Sequence, residues 1–134
     1  MANIESIKTD SSKEVGGVWV DYAAGIRLKI ARARNPKYQE VLRGLADPIK
    51  KDIRDEKATA DDFANLLIKV RAQTVLLGWE NIEDKAGTAI QYSPQQAEKF
   101  FSDPELKDFY DFVVAISENS DQYKKDIVKE SEKN

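Results

Sequence analysis

The sequence predicts a mainly α fold with a small β-hairpin (α+β), a compact bundle of about five helices plus an N-terminal hairpin. Three observations lead there. Beyond residue 35, apolar side chains recur at helical spacing, in segments opened by Asn35-Pro36, Thr59, Ser93-Pro94 and Asp103-Pro104. Such pairs satisfy the first free N–H groups of a helix. Before them, residues 18–30 hold two short runs that alternate apolar and polar, the two-residue period of a strand. The 134 residues, 41% apolar and 34% charged, suffice for one core and read as a soluble globular chain.

Residues 1–14, "MANIESIKTDSSKE", have no sustained period and are expected to form a flexible arm. The remainder, 15–134, is expected to be a single mostly helical domain, with its hairpin at about 17–32. Val18, Val20, Ile26, Leu28 and Ile30 share one hairpin face, and "AAG" makes the turn. A lone hairpin is marginal, so this face must cover a helix or another chain. Tyr38, Val41, Leu42 and Leu45 form the first helical stripe, broken near Asp47-Pro48. A short charged segment carries Ile49 and Ile53. Thr59 and Asp62 make a capping box for a helix striped by Phe63, Leu66, Leu67, Val70, Thr74 and Leu77, with Gly78 as its expected stop. A turn around Gly87 follows. Two helices then carry Ala97, Phe100 and Phe101, and Leu106, Phe109, Tyr110, Val113 and Ile116. Tyr123 and Ile127 fit a terminal helix.

Composition narrows function. No apolar run is long enough for a transmembrane helix, and the N-terminus lacks a signal-type apolar core, so a cytoplasmic protein is expected. No cysteine or histidine is present, which removes thiolate chemistry, the usual transition-metal ligands and the base of Ser-His or Cys-His pairs. The acid pairs Asp55-Glu56, Asp61-Asp62 and Glu83-Asp84 sit where helix ends and turns expect them, and adjacent helical residues do not converge. Neither catalytic nor metal or cofactor-binding residues are expected, and the chain reads as a non-enzyme.

The basic segment Arg27, Lys29, Arg32, Arg34 and Lys37 stands out in a chain of net charge −3. It offers phosphate contacts to a DNA-associated regulator, but few aromatics accompany it. Lysine on an exposed strand is also ordinary protection against edge pairing. The aromatic set Trp79, Tyr92, Phe100, Phe101, Phe109 and Tyr110 has the spacing of core residues. Trp19 and Phe112 lie off the apolar stripes. With Ile26, Leu28 and Ile30 they are the expected partner-binding residues.

The string "WENIEDKAGTAIQYSPQQAEKFFSD", residues 79–103, resembles the tail assembly chaperone family of long-tailed (siphovirus-type) bacteriophages. The resemblance rests on Trp79, Asp84, Gly87, Tyr92 and Ser93, on a hairpin leading to Asn35 and Tyr38, and on the ending Lys133-Asn134. The segment "ADPIKKDIRDEKATADD" has no counterpart in that pattern. The resemblance implies a non-enzymatic protein of the bacterial host cytoplasm that binds the tape measure protein, keeps it soluble and helps tail tube assembly. It also implies a homo-oligomer, a frameshift-extended form as a further partner, and absence from the mature virion. A small phage or prophage DNA-associated regulator using segment 27–37 is the alternative, with neither membrane nor nucleic acid expected as partner under the first reading.

Overall fold

A computed structural model describes Met1 and residues 3–126. The mainly α fold with its small β element is as expected from the sequence, except that the hairpin is part of a three-stranded sheet. Strands β1 (Val18–Asp21) and β2 (Arg27–Ile30) pair antiparallel, with Val18 opposite Ile30 and Val20 opposite Leu28. The connection is a 3-10 turn in which Ala24 and Gly25 take positive φ.

The third strand, β3 (Leu76–Glu80), was not foreseen. It pairs antiparallel with β2, which thereby becomes the central strand. The long helix α4 (Ala60–Thr74) ends before Leu77, so that residue's fit to the helical stripe is fortuitous. Gly78 is not a helix stop, because its φ is not positive. It lies in β3 opposite Lys29, where a Cβ would meet the Trp19 ring tip at 3.7 Å.

Around this sheet pack α2 (Pro36–Ala46), α4, α5 (Pro94–Ser102) and α6 (Lys107–Glu118), while the short α3 (Lys50–Arg54) links α2 to α4. Asn35 is buried as the cap of α2. Its Oδ1 accepts from Tyr38 N at 2.9 Å, and its Nδ2 donates to Arg32 O and Thr74 O. The capping box expected at Thr59 forms in full, with Thr59 Oγ1 accepting from Asp62 N at 3.1 Å and Asp62 Oδ2 from Thr59 N at 2.8 Å, and Ser93 Oγ caps α5 by accepting from Gln96 N at 3.0 Å. The core joins Leu28, Ile30, Val70, Leu76, Trp79, Phe101, Phe109 and Val113.

The N-terminal segment is not a loose arm in this structure. A 3-10 turn (Ile4–Ile7) leads to α1 (Ser11–Gly16), capped by Asp10. Asp10 N donates to Tyr123 O at 2.7 Å, Thr9 bridges Lys124, and Lys13 Nζ reaches Lys124 O and Asp126. A string of small polar residues conceals this docking because backbone groups make most of it. Tyr123 lies in a 3-10 turn (Ser120–Tyr123) rather than a helix. The remainder of the expected terminal helix, including Ile127, and the Lys133-Asn134 ending lie outside the described residues.

Candidate functional site

The outward face of the sheet carries Trp19, Lys29, Arg27 and Glu80. Trp19 is 39% exposed, as its off-stripe position implies. The Arg27 guanidinium lies 5.4 Å from its ring centroid, in the range of a cation–π contact. The same arginine pairs with Asp21 at 3.3 Å and Glu80 at 3.8 Å. Arg32 is likewise engaged, with Glu14 at 3.3 Å and Thr9 Oγ1 at 3.0 Å. Arg34 and Lys37 are exposed and Lys29 half-buried. Two of the five basic side chains, Arg27 and Arg32, are thus engaged with local acids.

Two expected contact residues are core. Leu28 and Ile30 are fully buried and pack beneath the helices. Ile26 is half-buried at the edge of a groove described below. Phe112 is not an exposed aromatic. Its ring lies 4.7 Å from that of Tyr22, which reaches from the end of β1 to cover it. No periodicity within α6 reveals that cover, because Tyr22 comes from a distant part of the chain.

The opposite error concerns the α2–α4 pair. Tyr38 is the only buried residue of α2, and α4 buries only Val70, Ala72 and Thr74, near its end. Between residues 39 and 69 no side chain is buried, although the segment carries Leu45, Ile49, Ile53, Phe63 and Leu66. Ile53 is 42% and Phe63 44% exposed. Phe63 was expected on the core stripe, but the core lies at the far end of its helix. A cleft of about 330 Å³ opens beside the pair and is lined by Leu45, Pro48, Ile49, Asn65 and Leu66.

A groove of similar size, about 340 Å³, lies where the β1–β2 turn, the segment after β3 and the start of α6 meet. Ile26, Ile82, Phe100, Leu106 and Phe109 give it an apolar lining, and Glu83, Glu105 and Asp108 stand along it. Among the described residues none of these three carboxylates has an ion pair. Two of the paired acids have local duties: Asp62 Oδ2 accepts from Thr59 N in the capping box of α4, and Asp84 Oδ1 accepts from Ala86 N and Thr88 N in the turn.

Trp79, Gly87, Tyr92 and Ser93, which carry part of the family resemblance, have structural duties. Trp79 Nε1 donates to Ile90 O at 2.7 Å, stacks on Phe100 at 5.0 Å and meets Tyr92 edge-on. Gly87 supplies the positive φ of the turn. Tyr92 Oη donates to Leu76 O at 2.6 Å, and Ser93 caps α5. These residues fasten the loop after β3 across the aromatic core, and Ile82, Glu83 and Ile90 of that loop line the groove.

Among the described residues no helix is long and apolar enough to cross a membrane. Residues 33–134 match the family model described as YdaY prophage protein. No curated protein and no solved structure matches the chain.

Proposed function

The chain belongs to the YdaY prophage protein family, and on that premise we propose that it is a non-enzymatic tail assembly chaperone that binds the tape measure protein. A tape measure chain is long and helical, and its apolar stripes remain uncovered until the tail tube forms around it. A helper for such a client needs apolar surface that its own fold leaves open, held on rigid elements. The observation that carries the reading is the segment from α2 to α4, where Ile53 of α3 and Phe63 of α4 stay exposed at a distance from the core. Repeated weak contacts by several copies would cover a long client. The protein acts in the host cytoplasm and leaves before the particle is complete.

The test is co-expression with a bacteriophage tape measure protein. Soluble client that copurifies through size exclusion supports the reading, and F63E in the helper should return most of that client to the pellet. A client that stays insoluble beside a folded helper refutes it.

A further inference from the structure

The apolar groove has a charge that selects its occupant. Residues 80–111 contain eight acidic and three basic side chains, a net −5, whereas the entire chain carries −3. The groove is built largely from this stretch: Ile82, Phe100, Leu106 and Phe109 line it, with Glu83, Glu105 and Asp108 beside them. Its volume of about 340 Å³ is at the small end of ligand sites and suits one or two large apolar side chains. The acids do not serve the fold as ion pairs. All three are exposed, and Lys85 and Lys107, their basic chain neighbours, form no ion pair with them among the described residues.

Apolar burial at the base with unpaired carboxylates around it fits a segment whose anchor is aliphatic or aromatic and whose flanks are Lys or Arg. We propose that this groove is a docking site for such a basic amphipathic helical segment of a partner protein. The proposal rests on the chaperone reading for the identity of that partner, and gives its charge. An acidic or neutral helix would leave the carboxylates uncompensated and gain only the apolar contact. Charge selection of this kind also speeds encounter and makes it sensitive to salt.

The probe is a labelled synthetic peptide of about twenty residues, long enough for a stable amphipathic face. It carries Leu and Phe on one stripe and Lys on both flanks. Its counterpart has Glu at every Lys position. Fluorescence anisotropy should give the Lys peptide about tenfold the affinity of the Glu peptide at low salt, the sum of a few exposed pairs. In the variant E83Q/E105Q/D108N, which alters exposed groups only, that ratio should fall to about twofold or less while the melting curve stays unchanged. L106N, a substitution at the half-buried lining, should weaken both peptides.

Equal affinity of the two peptides for the unaltered protein overturns the proposal. So does a ratio that survives the triple variant. Concentration-dependent self-association that the triple variant abolishes in sedimentation, without peptide, also overturns it, because a second copy then occupies the groove. The two readings fail separately. A client kept soluble equally well by the triple variant removes the groove and leaves the chaperone. Selective peptide binding by a helper that leaves its client insoluble removes the chaperone and leaves the groove.

Discussion

Tyr123 is the largest fully buried side chain among the described residues, and its hydroxyl donates to Ile30 O at 3.1 Å. Burial raises its pKa well above the ordinary tyrosine value, against a smaller opposing effect of Arg32. Tyr92 shifts the same way through burial, with its hydroxyl on Leu76 O. A raised folded-state pKa means the native state holds the phenol proton more tightly than the unfolded chain does. The associated stability is complete below the unfolded value of about 10 and is lost as pH rises beyond it. Urea midpoints should therefore stay level up to about pH 9 and then fall. Y123F should cost about 1 kcal/mol at neutral pH, one hydrogen bond, and show a shallower alkaline decline. Asn35 answers a different demand. One side chain serves three backbone groups at the junction of the sheet and two helices. N35A should cost about 2 kcal/mol, the loss of a cap together with buried groups left unpaired. The same urea titrations measure it.

Within α4 the residue type of an apolar stripe does not determine its depth. Val70 is fully buried and Phe63 is 44% exposed on one continuous helix. V70A should cost about 2 kcal/mol through a core cavity. F63S should change stability by about 0.5 kcal/mol or less, as exposed substitutions do. Thermal melts of the two variants separate these outcomes, and equal losses would mean that the arm is packed. The N-terminal helix caps, the hairpin with its apolar face and the aromatic core were legible, since each depends on residues close in sequence or on a regular period. What stayed hidden depends on distant partners. Leu76 to Glu80 read as a helix end because Leu77 fits the stripe, and only β2 alongside makes it a strand. Phe112 read as exposed because Tyr22, its cover, lies at the end of β1. The groove draws its walls from three separate segments, and its one signal in the sequence was the acid excess over 80–111.

The molecule as a whole depends on a part that the family match leaves out. Residues 33–134 match, yet β2, the central strand, lies before them. Without β2, β3 would have no strand beside it, and Leu76 and Trp79 would lose their cover over Leu28 and Ile30. The junction after β2 also holds the helices, since Ala31 N donates to Val75 O and Ala33 N to Ser117 O. Tyr123 would lose its acceptor at Ile30. The segment before the hairpin contributes less: Asp10 to Tyr123, the Thr9–Lys124 bridge, and the contacts of Lys13 and Glu14. Two truncations should therefore behave differently. A chain beginning at residue 15 loses peripheral hydrogen bonds worth about 2 kcal/mol in sum, should still melt in one cooperative step, and should do so about 5–10 °C lower. A chain beginning at residue 33 loses the central strand and several fully buried side chains, more than the usual stability of a domain this size absorbs. It should show no cooperative melt and no near-ultraviolet aromatic dichroism, although α4 to α6 keep their helical patterns. Cooperative melting of that shorter chain would mean that its helices make a sufficient core alone, with the sheet added as an accessory.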